Sequence, residues 1–204
     1  MNILAIGAHP DDIEFGCGGT LMRYAQKKHN VYLLILTSGE VGGQPSKRRC
    51  EQEKAATLMR VKKIYWGDFI DTEIPRDRSV IMAIERVIRI VKPQMVLFNF
   101  LSDIHQDHRA LAHAALSATR YTREVLFYEV TTTQGFEPDV FVDISPVMEK
   151  KIRLLKLHCS QVHRTRVQNL SILESARSCA IFRGYQGRVK YAEGFRALRI
   201  LRDP

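Results

Sequence analysis

The feature that most constrains the fold is a regular alternation between short apolar runs and longer segments with helical periodicity. The apolar runs NILAIGA (2–8), VYLLILT (31–37) and MVLFNF (95–100) are typical of strands, and helical segments separate them. Apolar runs without polar alternation indicate strands that are covered on both faces, as in a parallel sheet. The repeated strand, helix, strand order therefore predicts an α/β fold.

The clearest helix is predicted at 78–91, where Pro93 follows as a stop signal. Apolar residues recur there with the spacing of one buried helix face: Val80, Ile84, Val87, Ile88 and Val91. The last third contains further predicted strands at 124–130, 139–144 and 190–200, and helices at 147–158 and 170–181. We predict a Rossmann-like, mostly parallel sheet with helices on both faces and a core strand order 3-2-1-4-5.

Length and composition limit the number of domains and the kinds of protein that this chain can form. With 204 residues, 45% of them hydrophobic, the chain can bury one full core, and we expect a single domain over 1–204. The four cysteines form no C-x-x-C pair, which argues against a structural zinc knot or a disulfide framework. The N-terminus lacks the features of a signal peptide, and no apolar run approaches the roughly 20 residues needed to span a bilayer. We expect a cytoplasmic protein without a membrane span.

The net charge of +9 admits several partners: nucleic acid, an anionic surface, an acidic substrate, or none in particular. The basic residues are dispersed along the chain, and no helix-turn-helix, zinc-finger or RRM-type signature is present. Nucleic-acid binding is therefore the minor alternative, and we expect a small-molecule partner.

A polar cluster, HPDD, stands directly after the first predicted strand. Ligands of open parallel sheets bind at the carboxyl ends of the strands, and this turn lacks the G-x-G-x-x-G pattern of dinucleotide binding. Imidazole nitrogen and carboxylate oxygen suit a divalent metal, zinc in particular. The alternative is a polar turn in which Asp12 caps the next helix.

A second cluster follows the strand MVLFNF and contains His105, Asp107 and His108. In a sheet of order 3-2-1-4-5 the first and fourth strands are neighbours, so the two clusters converge on one crevice. Together they can supply three protein ligands and leave a fourth position open, as catalytic zinc sites require. His113 lies five residues beyond His108, which rotates it away on a helix. His158, near a predicted helix end, is either a pocket-rim residue or part of the helix termination.

The segments AHPDD, GCGGT, HQDH and YAEGF together resemble the PIG-L/LmbE-like zinc-dependent N-deacetylases, over almost the whole chain. The resemblance implies that His9, Asp12 and His108 are the ligands of a Zn²⁺ cofactor. It implies that Asp11 is the general base for the metal-bound water. His105 then matches the histidine that steadies the oxyanion or protonates the leaving group, and Asp107 the carboxylate that orients it.

The same resemblance extends to substrate contacts. KRRCEQE is similar to an Arg-x-x-Glu stretch of the family, which implies that Arg48 contacts a substrate hydroxyl or acyl group, with Arg49 as the alternative. Tyr191 in YAEGF is implied to lie near the sugar, the alternative being a structural strand. Family members often continue HPDD with Glu, whereas this chain has Ile13 and then Glu14.

The implied function is removal of an N-acetyl group from an N-acetylglucosamine-type amino sugar or its conjugate. The alternative within the same class is an amidase that acts on a non-sugar or thiol-conjugate amide. A peptide-cleaving zinc enzyme would more often carry H-E-x-x-H on a helix, which is absent from this chain. Because relatives are often multimeric, a homo-oligomer is also expected from the resemblance.

Overall fold

The computed structural model describes residues 1–201 and confirms the α/β class. Its seven strands are β1 (Asn2–Gly7), β2 (Asn30–Thr37), β3 (Lys63–Phe69), β4 (Met95–Asn99), β5 (Glu124–Tyr128), β6 (Val140–Asp143) and β7 (Ala192–Arg199). Its six α-helices are α1 (Asp12–Gln26), α2 (Pro45–Met59), α3 (Arg78–Val91), α4 (Gln106–Ala118), α5 (Met148–Lys156) and α6 (Ile172–Gly187).

All seven strands form one sheet in the order β3-β2-β1-β4-β5-β7-β6. The predicted core order 3-2-1-4-5 is confirmed, and these five strands are parallel. The antiparallel addition of β7 to β5, and of β6 to β7, was not predicted. Since β1 pairs directly with β4, the turns that follow these two strands lie side by side.

Helices cover both faces of the sheet because successive side chains of each strand point to opposite faces. Ile3 and Ala5 of β1 face a core that also contains residues of α1, α2, α5 and α6. Leu4 and Ile6 face the other core, which is completed by α3 and α4. The four strand residues are fully buried, which explains the continuous apolar runs in the sequence.

Helix α3 has the predicted boundaries, and Asp77 caps its first turn by accepting a hydrogen bond from the Ser79 N–H at 2.8 Å. Helix α1 begins at Asp12, so it includes the glycine-rich GCGG. Glycine is required there by close packing, since a Cβ on Gly16 would lie 2.1 Å from the ring of Tyr128. Among residues 1–201, none of the helices is both long and apolar enough to cross a membrane.

Candidate metal centre and active site

Two polar turns meet at the carboxyl ends of β1 and β4 and bring together His9, Asp12 and His108. His9 Nδ1 lies 3.3 Å from His108 Nε2, and His108 Nε2 lies 3.3 Å from Asp12 Oδ1. We call these three residues the metal triangle. The other carboxylate oxygen, Asp12 Oδ2, lies 3.6 Å from His9 Nδ1 and accepts backbone N–H bonds from Ala8 at 3.1 Å and His9 at 3.0 Å. All three residues are buried, with exposed fractions between 4% and 7%.

The distances from His108 Nε2 to His9 Nδ1 and to Asp12 Oδ1 are those expected between ligand atoms of one tetrahedral ion. At metal–ligand distances of about 2.0–2.1 Å, the ligand atoms of a tetrahedral site are about 3.3–3.4 Å apart. Two imidazole nitrogens and one carboxylate oxygen form a donor set that suits zinc. The residues present therefore fit a divalent metal without rearrangement of the backbone.

Each imidazole of this triangle presents its other nitrogen to a carboxylate. His9 Nε2 lies 3.0 Å from Asp71 Oδ1 and 3.1 Å from Asp107 Oδ2, and His108 Nδ1 lies 3.2 Å from Asp103 Oδ1. Such partners fix the orientation and tautomer of histidines that bind metals. His9 Nδ1 and His108 Nε2 are thereby left to face Asp12.

Two further groups have potential ligand atoms within 4.8 Å of one another: His9 with His105 and His108, and His9 with Asp71 and Asp107. The carboxylates of Asp71 and Asp107 have backbone partners. Asp107 accepts N–H bonds from Thr72 at 2.7 Å and Ile74 at 3.3 Å, and Asp71 accepts one from Val41 at 2.9 Å. These two carboxylates therefore hold the loops around His9.

The electrostatics of the triangle favour positive charge. Burial lowers the pKa of His108, but Asp12 and Asp103 raise it to about 9. Burial likewise opposes charge on His9, but hydrogen bonds to Asp107, Asp12 and Asp71 raise its pKa well above the ordinary value. Burial raises the pKa of Asp12, and the neighbouring His108 more than reverses this and holds it well below its usual range. A bound cation can take the place of these protons.

Asp11 precedes α1 and has a strained backbone, with φ 98° and ψ −23°. Its side chain makes no capping hydrogen bond, and a quarter of it is exposed. Burial raises the pKa of its carboxyl, while Arg48 and His158 oppose that rise. Asp11 is thus the carboxylate next to the metal triangle that is open to a reacting molecule.

Arg48, and not Arg49, lies beside Asp11. Arg48 Nη2 is 3.5 Å from Asp11 Oδ1 and donates to the carbonyl of Pro10 at 2.6 Å, while Nη1 donates to the carbonyl of Gly39 at 2.8 Å. Gly39 has φ 66°, and a Cβ there would lie 1.8 Å from Arg48 Nη1, so the loop requires glycine. The contact of Arg48 with substrate stays a prediction.

Arg49 points toward β3. It donates to Ser38 Oγ at 2.6 Å, bonds Asp68, and lies over the ring of Trp66 with its guanidinium carbon 4.5 Å from the centroid.

His105 is the N-cap residue of α4, and its ring centroid lies 4.6 Å from that of His9 and 4.7 Å from that of His108. Burial, together with the charges of His9 and His108, lowers the pKa of this partly exposed imidazole, which favours its neutral form. The carboxylate of Asp107 was expected to orient His105 but is directed to His9. The backbone N–H of Asp107 contacts His105 instead, donating to Nδ1 at 3.2 Å.

Tyr191 lies directly before β7, and its expected contact with the sugar stays a prediction. Its ring is partly buried against an apolar cluster formed by Ile144, Val147, Met148, Ile152 and Ala180. Its N–H donates to Ser145 Oγ at 3.1 Å. The alternative interpretation, a structural strand, describes this segment, because β7 pairs with both β5 and β6. His113 is exposed on α4, in agreement with its exclusion as a ligand.

Two acidic residues of the site were missed by the sequence analysis. Asp71 follows β3, and Asp103 follows β4 within the segment SDIHQDH. The available signal was position: each stands just after the carboxyl end of a parallel strand, where ligand sites form. Neither belongs to a motif that distinguishes it from an ordinary loop carboxylate.

The chain matches the family model "PIG-L: GlcNAc-PI de-N-acetylase" over residues 4–119, which include the metal triangle, Asp11, Arg48 and His105. This protein belongs to the PIG-L family. The PIG-L chain is 33% identical to the diacetylchitobiose deacetylase of Thermococcus kodakarensis, over 95% of this chain and 82% of that protein.

Solved structures confirm the fold of this PIG-L protein. The N,N'-diacetylchitobiose deacetylase from Pyrococcus horikoshii superposes with a TM-score of 0.86 at 27% identity, over 97% of this chain and 83% of that one. GalB, a 4-carboxy-2-hydroxymuconate hydratase from Pseudomonas putida KT2440, has a TM-score of 0.84 at 22% identity, over 100% and 99% of the two chains. Since a hydratase shares it, the fold alone does not decide the reaction.

Proposed function

We propose that this PIG-L protein is a zinc-dependent N-deacetylase that releases acetate from an N-acetylglucosamine-type amino sugar or its conjugate. The observation that carries the proposal is the approach of His9 Nδ1, His108 Nε2 and the Asp12 carboxylate to within 3.3–3.6 Å of one another, with the Asp11 carboxylate in the adjoining residue. The names of the relatives support the deacetylase class and the amino-sugar substrate.

His9, Asp12 and His108 would hold the ion. When bound, zinc supplies Lewis acidity and lowers the pKa of water to about 7. The remaining chemistry falls to side chains of this chain. Asp11 accepts a proton from the attacking water at its carboxylate, since it makes no capping bond that would occupy it. The water oxygen adds to the acetyl carbon, the C–N bond breaks, and a proton passes to the departing amine.

His105 and Arg48 complete the proposed site. As a neutral imidazole stacked on His108, His105 carries an N–H that can donate to the developing oxyanion, because its Nδ1 already accepts from Asp107. Arg48 donates to the carbonyl of Pro10 and contacts Asp11, which supports a role for its guanidinium in binding an acyl group or sugar hydroxyl.

The proposal is tested by acetate release across a defined panel: N-acetylglucosamine, N,N'-diacetylchitobiose, an N-acetylglucosaminyl conjugate, a non-sugar acetamide and an acetyl-lysine peptide. Each is assayed with protein stripped by a chelator and with the same protein reloaded with zinc. We expect acetate from the amino sugars alone, lost on stripping and restored by zinc.

The possible outcomes separate the parts of the proposal. Acetate from the non-sugar acetamide or the peptide, with none from any amino sugar, would overturn the sugar assignment and support the amidase alternative. Equal release by the stripped and the reloaded protein would overturn the metal requirement.

A further inference from the structure

A second buried polar layer lies behind Asp11 and is not used by the proposed chemistry. It consists of Glu14 in the first turn of α1, Gln52 on α2, and His158 just beyond α5, with exposed fractions of 0%, 0% and 1%. Gln52 Nε2 donates to Glu14 Oε1 at 2.6 Å, and His158 Nε2 lies 3.6 Å from Glu14 Oε2. Three elements that are distant in sequence thus meet at one carboxylate.

The buried carboxylate of Glu14 needs a positively charged partner. Burying a carboxylate that has only one neutral hydrogen-bond donor costs free energy, and a paired positive charge offsets that cost. Among the described residues, neither ring nitrogen of His158 nor Oε2 of Glu14 has a hydrogen-bond partner within hydrogen-bonding distance. The two groups therefore face each other as the charged pair of this layer. Burial lowers the pKa of His158, but Glu14 and Asp11 raise it above the ordinary value, which favours the imidazolium.

The position of His158 is fixed by the segment that follows it. Glu51 of α2 accepts hydrogen bonds from the N–H of Ser160 at 3.0 Å and from its hydroxyl at 2.6 Å. Gln161 Nε2 donates to the carbonyl of Gly42 at 3.2 Å. These contacts attach the end of α5 to α2 and to the glycine-rich loop that surrounds Arg48.

The layer supports the turn that carries Asp11. Arg48 and Gln52 are one helical turn apart on α2, and they contact Asp11 and Glu14 respectively. His158 contacts Glu14 from the segment just beyond α5. The first turn of α1 is therefore held from α2 and from that segment. A strained residue such as Asp11, with φ 98°, persists only where its surroundings determine its conformation.

We propose that His158 is a positioning residue, which pairs with Glu14 and so holds the first turn of α1 with the Asp11 carboxylate at the reacting position. His158 itself contacts neither the metal triangle nor a substrate. The inference rests on the proposed function of Asp11 as the base. Substitution of His158 is expected to lower kcat. The KM and the bound zinc should stay unchanged, since the metal ligands and the substrate contacts remain in place.

The test compares His158→Gln, Glu14→Gln and the double variant with His163→Gln, a matched control at an exposed histidine of the same segment. We expect kcat to fall about tenfold to a hundredfold in each single variant, the scale of misplaced catalytic groups, with one zinc per chain retained. Because the two side chains act as a pair, the double variant should be no slower than the slower single variant. His163→Gln should match the wild type.

A readout independent of turnover accompanies the kinetics. The backbone amide resonance of Asp11, followed by ¹H–¹⁵N NMR in the zinc-loaded protein, should move in His158→Gln and stay in place in His163→Gln. If the wild type releases acetate from no amino sugar, the proposed function fails and this resonance decides the inference alone.

Several outcomes would overturn the inference. The first is an unchanged kcat in His158→Gln. The second is a fall in the kcat of the double variant that equals the product of the two single-variant falls. The third is an Asp11 resonance that does not move in His158→Gln. If His158→Gln does not fold, Glu14→Gln carries the kinetic test. Failure of both to fold, or loss of zinc from both, would make the layer a stability element and contradict a positioning role.

Discussion

Helix α1 contacts two buried charged clusters, one at its first turn and one near its middle, and they are built differently. At the middle, Glu193 accepts N–H bonds from Gly19 at 2.8 Å and Thr20 at 2.7 Å, and pairs with Lys151. At the first turn, the ligand atoms of His9, Asp12 and His108 face one another. Asp11 lies beside them, and its carboxylate makes no capping hydrogen bond.

The difference separates a stabilising cluster from a reactive one. The Lys151–Glu193 pair is closed, because each charge has an opposite charge and Glu193 also has two N–H donors, as a buried ion pair requires. The metal triangle gathers groups that repel or strain each other unless a cation or protons occupy them. Substitutions in the two clusters should therefore affect different properties.

The largest expected effect is that of His108→Ala, which removes one corner of the triangle. We expect loss of bound zinc and of acetate release to the level of the stripped protein, because two ligands remain. Metal analysis after gel filtration measures this, with His113→Ala on the same helix as the matched control. Stoichiometric zinc and full activity in His108→Ala would show that the ligand assignment is wrong.

Glu193→Ala should have the largest effect on stability. Breaking a buried pair leaves Lys151 uncompensated, which costs about 3–5 kcal/mol of unfolding free energy. Denaturant unfolding provides the measurement, and zinc content of the folded fraction should be normal. Glu149→Ala is the control, because Glu149 pairs with Arg177 at an exposed site, where such pairs are worth about 0–1 kcal/mol. Equal losses of unfolding free energy in Glu193→Ala and Glu149→Ala would contradict a stabilising role for the Lys151–Glu193 pair.

Asp11→Asn tests the reactive cluster without removing a ligand. It keeps the size of the side chain but cannot accept a proton, so turnover should fall by about 100-fold or more at normal zinc content. Its unfolding free energy should stay close to that of the wild type, since the Asp11 side chain makes no capping bond. If zinc is lost instead, the roles of Asp11 and Asp12 are exchanged.

Tyr191→Phe should have the smallest effect, and it tests the sugar contact that the resemblance implies. The ring keeps its place in the apolar cluster. We expect KM and kcat for the amino sugar within about twofold of the wild type, a range typical of surface-like changes. A large increase in KM would restore the expected sugar contact.

The core of the fold was predictable because its signals are local. Apolar runs specify buried parallel strands, and the neighbouring positions of β1 and β4 bring HPDD and HQDH together. The pairing of β7 with β5 and β6 has no local signal, since register and neighbours depend on long-range packing. For the same reason the partners Asp71 and Asp103 were missed.

The resemblance to the family supplied roles, and the geometry changed one of the contacts behind them. Asp107 was expected at His105, yet its carboxylate is shared between His9 and two loop amides. Glu193, two residues after Tyr191 in the same motif, belongs to the closed ion pair. A motif identifies which residues matter more reliably than it identifies what each of them touches.

The central claim is that His9, Asp12 and His108 form one preformed metal site, and X-ray absorption at the zinc edge tests it most directly. Wild-type protein loaded with one equivalent of zinc should show a first shell of nitrogen and oxygen only, at about 2.0–2.2 Å. The histidine contribution to that shell should decrease in His108→Ala. A sulfur ligand at about 2.3 Å, from any of the four cysteines, or a first shell unchanged in His108→Ala, would contradict the account.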